Sequence, residues 1–156
     1  MVDPVLSLAE RAFVTGARRA VLATLAPDGR PRLVPICFVL DGGGPTLYTP
    51  LDQKPKRSNE QARLARVRDL QADPRVSVLV DRWDEDWSRL AWVRCHGSAS
   101  LLQPGAAHAE LAAEHAAAVT ILRAKYPHYA THRLETRPVI RIAIEQTSSW
   151  GALDPP

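Results

Sequence analysis

The spacing of apolar residues changes period several times along the chain. Residues 5–16, VLSLAERAFVTG, place Leu6, Ala9 and Phe13 at helical intervals before Gly16, which predicts a short amphipathic helix. The period then falls to two. In RAVLATLAPDGRPRLVPICFVL, Val21, Ala23 and Leu25 alternate before the turn APDGRP, and Val34, Ile36, Phe38 and Leu40 alternate after it. This is the pattern of a β-hairpin. The glycines of DGGGP force another turn, and TLYTP reads as a third short strand.

Helical spacing returns at Ser58. This serine with Gln61 three residues on predicts an N-cap and capping box, and Leu64, Val67 and Leu70 form the stripe of a helix that ends near Ala72, before Asp73-Pro74. RVSVLVD reads as a fourth strand with Val76, Val78 and Val80 inward, WDEDW as a hairpin loop, and RLAWVRCHGSASLL as a long fifth strand with a bulge at Gly97. Pro104 opens a predicted helix that runs to Tyr126 and stops at Pro127. RPVIRIAIEQ is a sixth strand with Ile140, Ile142 and Ile144 alternating, and TSSWGALDPP a polar tail. Strand and helix do not alternate, as a doubly wound sheet requires. The pattern predicts a single domain over residues 1–156: mostly β with α, a six-stranded antiparallel barrel with peripheral helices.

A chain of 156 residues is long enough to bury a real core. The net charge of +3 is too small to imply a nucleic-acid partner, but its distribution is uneven. Between Lys54 and Arg75, seven cations (Lys54, Lys56, Arg57, Arg63, Arg66, Arg68, Arg75) face three acids (Glu60, Asp69, Asp73). That local excess of four exceeds the net charge of the whole chain. Residues 50–75 contain no aromatic side chain on which a base could stack, which ranks a nucleic-acid interface last. Two cysteines, Cys37 and Cys95, without a CxxC pair argue against a disulfide framework and fit a reducing compartment. No leader and no apolar run of spanning length is visible, so the expected setting is cytoplasmic, with no membrane partner.

The first turn of a helix carries unpaired N–H groups and partial positive charge. Lys54, Lys56 and Arg57 stand just before such a turn, an arrangement that suits an anion. Arginine offers a planar fork to phosphate oxygens and lysine a point charge. One phosphate uses two or three such groups, so seven cations point to a larger anion; a solvated basic face is the alternative. No GxGxxG or GxxxxGK[ST] phosphate loop accompanies them.

In succession, DGRPRLVPICF, KPKR, DPRVSVLVD and DEDWSRLAWVR resemble the split β-barrel family of pyridoxamine-phosphate-oxidase-like flavoproteins (the FMN-binding split barrel), and more narrowly its branch that uses the deazaflavin coenzyme F420. The resemblance spans about residues 5–150. It implies a homodimer with two cofactor sites in grooves between subunits. Val34, Pro35, Ile36 and Cys37 would lie along the tricyclic ring, and Tyr48 and Thr49 near the ribityl chain. A basic residue would hold the phosphate. Counting back from Asp73-Pro74 gives Arg66, and counting forward from Thr49 gives Lys54 or Lys56, so Lys54, Lys56, Arg57 and Arg66 all stand as candidates.

The implied activity is hydride transfer from reduced deazaflavin to a small organic substrate. The alternatives are an FMN-dependent oxidase or reductase on the same barrel and a carrier that binds F420 without turnover. The local cationic excess favours the more heavily charged F420 over FMN. In such chemistry the cofactor carries the hydride and the protein aims it, so no catalytic nucleophile and no metal ligand is expected. His128 and His132 have ligand-like spacing but no neighbouring thiols. Trp92, Arg94 and His96 share one strand face, which is either the substrate side of the groove or an exterior or dimer contact. Trp83, Trp87 and Trp92 among three acids mark a dimer interface or a pocket edge. Trp150 either covers the cofactor groove or anchors the last strand, and Cys37 reads as packing more than as a redox thiol.

Overall fold

The computed structural model describes residues 4–51 and 57–155, with side chains omitted for residues 57–64 of one helix. The first helix, α1 (Leu8–Gly16), is fixed at its start by a capping box: Glu10 N–H donates to the Ser7 hydroxyl and Ser7 N–H to the Glu10 carboxylate. It buries Glu10 and Val14. Arg11 braces the glycine-rich turn from this helix, donating to the carbonyls of Asp41 and Gly44 at 2.8 Å each.

The expected hairpin is formed by β1 (Ala20–Leu25) and β2 (Pro31–Ile36), paired from Ala20↔Ile36 to Leu25↔Pro31. Its turn uses Gly29 at φ +82°, where glycine meets no Cβ penalty. The buried stripe of β1 is Ala20, Leu22 and Thr24; Val21, Ala23 and Leu25 are half-buried on the opposite face. AVLATL is apolar at both parities except Thr24, so its alternation cannot set the phase. After Ile36 the chain bends, and a separate strand β3 (Val39–Leu40) pairs with β4 (Thr46–Pro50).

Helix α2 (Arg57–Ala72) begins one residue before the expected cap, so Ser58 lies in its first turn. From residue 65 on, it buries Arg66, Asp69 and Leu70. Strand β5 (Arg75–Arg82) carries Val76, Val78 and Val80 inward as its pattern predicts. It turns through a loop containing a 3₁₀ turn, Trp87–Arg89, into β6 (Ala91–Leu102). Helix α3 (Ala109–Lys125) starts five residues later than predicted, because Gly105 takes φ +65° and turns the chain first. A 3₁₀ segment, Pro127–Thr131, follows it.

The last strand, β7 (Val139–Gly151), is longer than the alternation of isoleucines implies. Thr147 to Gly151, expected as a polar tail, pair with Cys95 to Ala91. The Thr147 hydroxyl donates to the Val5 carbonyl at 2.8 Å and lies 3.3 Å from the Glu10 carboxylate, so polar residues on this strand tie it to α1. The expected bulge is present: the β6–β7 register shifts between His96 and Gly97. A Cβ at Gly97 would fall 2.2 Å from the carbonyl oxygen of Ala143, so the strands cross too closely there for any side chain.

Seven strands, not six, form one antiparallel sheet in the order β2-β1-β5-β6-β7-β4-β3, the added strand being the two-residue β3. The sheet curls around an apolar core including Leu22, Phe38, Leu47, Val78, Val93 and Ile142. A second apolar cluster lies outside, where Ala118, Val119 and Leu122 of α3 meet Val39, Tyr48, Leu102 and Val139. Among the described residues, no helix is long and apolar enough to cross a membrane.

Candidate functional site

At the corner where β2 gives way to β3, the chain opens a cavity of about 390 Å³. Pro35, Ile36 and Cys37 form one wall, Thr49 and Pro50 from β4 another, and His128 and Tyr129 from the 3₁₀ segment a third. Three arginines complete it: Arg18 and Arg19 from the link between α1 and β1, and Arg66 from α2. An apolar patch and three cations therefore share one cavity, with Arg66 buried and Arg18 and Arg19 exposed. Arg66 is 8% exposed, and a guanidinium so placed keeps its charge at any physiological pH.

Local structure explains each placement. Helix α2 is held to the sheet by Asp69, 1% exposed, which accepts from the Thr24 hydroxyl at 2.9 Å and from Arg32 Nε at 2.7 Å. Arg66 stands one turn before Asp69, so the same helical face that docks on the hairpin carries Arg66 into the cavity. Tyr126 organises the opposite wall. Its hydroxyl accepts from Phe38 N–H at 3.0 Å and lies 2.9 Å from the Arg18 carbonyl and 3.0 Å from that of Phe38, either of which its proton can reach. One buried hydroxyl thus joins the approach to β1, the β2–β3 corner and the end of α3. Burial raises the Tyr126 pKa, which keeps the phenol protonated as a donor.

Of the residues singled out from sequence, Pro35, Ile36, Cys37, Thr49 and Arg66 meet at this cavity. Val34 is half-buried and packs against the main core instead. Tyr48 alternates with Thr49 along β4, and it faces α3. Its hydroxyl donates to Glu114 at 2.7 Å, and Glu114 also accepts from Arg141 at 2.6 Å. Burial, followed by the adjacent Glu114 carboxylate, raises the Tyr48 pKa well above its ordinary value. Adjacent residues of a strand point to opposite faces, so Tyr48 and Thr49 do not line one wall. Lys54 and Lys56 lie outside the described residues, as does the side chain of Arg57.

The cavity also gathers Arg18, Arg19 and Tyr129, which the sequence did not single out, and His128, which was weighed there only as a metal ligand. The His128 and Tyr129 rings tilt against each other with centroids 4.2 Å apart. The available signals were the pair Arg18-Arg19 between a helix stop and a strand, and aromatics flanking Pro127. Cys37 is half-buried, lines the cavity and touches the outer cluster. Among the described residues, no three His, Cys, Asp or Glu side chains come together as metal ligands.

Trp92, Arg94 and His96 do share a face, and it is the exterior of the barrel. Arg94 lies over the Trp92 ring at 5.5 Å, and Trp92 pairs across strands with Trp150. Trp150 therefore belongs to β7. On the same face Ser77 Oγ sits 2.7 Å from His96 Nδ1, in a second cavity of about 380 Å³.

The family model described as pyridoxamine 5'-phosphate oxidase matches residues 7–151. The chain belongs to that family, and its fold is the family's split barrel. Solved structures agree. A conserved hypothetical protein from Mycobacterium tuberculosis is 27% identical with a TM-score of 0.65, the match covering 97% of this chain and 88% of that one. A FAD-binding protein from Mesorhizobium loti is 25% identical with a TM-score of 0.59 over 92% of this chain and 94% of that one. An F420 reductase shares the fold at 19% identity and a TM-score of 0.60, over 88% and 94%.

Proposed function

We propose that the chain is an oxidoreductase that binds coenzyme F420 in this cavity and directs a hydride from the reduced deazaflavin to a small organic substrate. The observation that carries the reading is an apolar wall of Pro35, Ile36 and Cys37 beside Arg18, Arg19 and Arg66 in one cavity. A tricyclic ring needs such a wall, and a phosphate with trailing carboxylates needs fixed cations. The bound coenzyme supplies the hydride. The chain supplies position: the β2–β3 corner supports the ring, Thr49 offers a hydroxyl, and the arginines hold the acidic end.

Two copies of the chain are proposed to close the site between them. The support is an exterior sheet face carrying exposed Leu33, Leu79 and Trp150, with Trp83 and Trp87 also exposed in the loop after β5. FMN is the second reading, favoured by the likeness to a FAD-binding protein at 25% identity.

Titration of the purified protein with F420 and with FMN, followed by fluorescence, tests both. Saturable binding of F420, tighter than that of FMN, is the expected result. Arg66→Ala should weaken it by about 10- to 100-fold, the scale of one lost charged hydrogen bond of ~1.5–3 kcal/mol. Preference for FMN selects the second reading, and tight F420 binding without oxidation by any acceptor identifies a carrier. Failure to bind either ligand refutes the assignment of the cavity.

A further inference from the structure

The second cavity, of about 380 Å³, opens on the outer face of the sheet and shares no lining residue with the first. Alternation along β5 puts Arg75 and Ser77 on that face, about 7 Å apart. Across the ladder Ser77 pairs with His96 of β6. The Ser77 Oγ lies 2.7 Å from His96 Nδ1, and both side chains are half-buried at the cavity wall. The β6–β7 bulge adds an acid. His96 pairs with Gln146 and Gly97 with Ile144, so Glu145 is the extra residue, and it lines the same cavity. Asp73 engages Nε and Nη2 of Arg75 and leaves Nη1. Ala23 and Pro31 supply an apolar side. A hydroxyl within hydrogen-bond reach of an imidazole, beside a cation, in a cavity of small-molecule size, is an arrangement that the coenzyme reading leaves unused.

We propose that Ser77 and His96 form an acyl-transfer site that hydrolyses small carboxylic esters, with Ser77 as the nucleophile and His96 as its base. With the ring proton on Nε2, Nδ1 accepts from the Ser77 hydroxyl and is free to take its proton. The Oγ attacks the ester carbonyl carbon, an O–C bond forms, and the hydroxyl proton passes to Nδ1. The C–O bond to the alcohol then breaks, and the alcohol leaves with that proton. Water repeats the sequence on the acyl-serine, which releases the carboxylic acid and restores the hydroxyl. No oxidation state changes, and water is the one co-reactant. The Arg75 guanidinium in the same cavity favours the negative charge that develops on the carbonyl oxygen, and the Glu145 carboxylate favours the imidazolium. The apolar side and the cavity's size suit a short acyl chain.

An alkyl fluorophosphonate tests the nucleophile on the full chain. It loses fluoride as a serine oxygen bonds to phosphorus, and peptide mass spectrometry locates the adduct. Labelling of Ser77 above every other serine is expected. Hydrolysis of p-nitrophenyl butyrate, read as released nitrophenolate, should be lost in Ser77→Ala. It should fall by about 100-fold in His96→Gln, the low end of what a general base contributes. Glutamine keeps a hydrogen-bonding side chain but cannot take the proton, so a pair that only ties two strands together would leave the rate unchanged. Circular dichroism melts establish that each variant is folded. Labelling is read on the wild type, so it decides even where a variant does not fold. An unlabelled Ser77 in the wild type, or wild-type hydrolysis in folded Ser77→Ala, overturns the proposal and leaves the coenzyme reading untouched.

Discussion

Tyr126 concentrates much of the site's geometry in one side chain. It is 3% exposed, and its hydroxyl meets backbone groups 88 and 108 residues away in sequence. Removing that oxygen leaves the Phe38 N–H and a carbonyl buried without it. Tyr126→Phe should therefore cost about 1–3 kcal/mol of stability, the desolvation penalty of an unsatisfied buried group. Urea denaturation measures the loss, and a midpoint unchanged from wild type would show that the hydroxyl is not a structural tie. Such a residue is hard to find in a sequence. A tyrosine before Pro127 reads as a helix end, and nothing local announces contact with Arg18 or Phe38. The same holds for Arg18, which lies over the Tyr126 ring only because the chain folds back. Arg66 entered as one of four candidates through the family resemblance, by counting back from Asp73-Pro74 within one helix, where spacing is fixed.

At the scale of elements, α2 is held by a polar latch as well as by Leu70, which packs in the core. Asp69 accepts from both strands of the first hairpin, and no apolar residue of α2 is buried more deeply among those described. Asp69→Asn removes the charge while retaining the shape. Because the Arg32 side chain is 41% exposed, its share must be discounted for solvent, and the expected loss is about 1–2 kcal/mol. The helix carries Arg66, so the same change should weaken coenzyme binding severalfold. Thermal melts and the fluorescence titration check the two effects; a destabilised variant with wild-type affinity would separate the latch from the site.

The strands themselves were legible wherever one face is apolar and the other is not, as in Val76, Val78 and Val80. Legibility failed in two situations. Both faces of β1 are apolar, so the phase was undetermined. Thr147 to Gly151 pair as a strand through backbone bonds while presenting polar side chains, so no hydrophobic period marks them. The Gly97 bulge was visible because a glycine in a strand has few other uses.

For the whole molecule, the decisive feature is an exterior face more apolar than a lone barrel needs. Leu33 is 66% exposed, Leu79 38% and Trp150 55%. Through the register Leu33↔Ala23, Val21↔Leu79, Leu79↔Arg94 and Trp92↔Trp150 they lie on the outer face of alternate strands, β2, β5 and β7. Single exposed apolar residues are ordinary, but several on one sheet face mark an interaction surface. A second copy of the chain is the proposed occupant. The cavity corner follows directly from β2, which carries Leu33, so covering this face would also bear on the cavity's open side. Leu79→Glu places a carboxylate where that contact would be dry, and an unpaired buried charge is costly enough to split a dimer. Light scattering on a sizing column should show a dimer for the wild type and a monomer for Leu79→Glu, with coenzyme affinity falling in step. A wild-type protein that elutes as a monomer at micromolar concentration, yet binds the coenzyme fully, would mean that one chain completes the site alone. In that case the exposed Leu33, Leu79 and Trp150 would need another explanation.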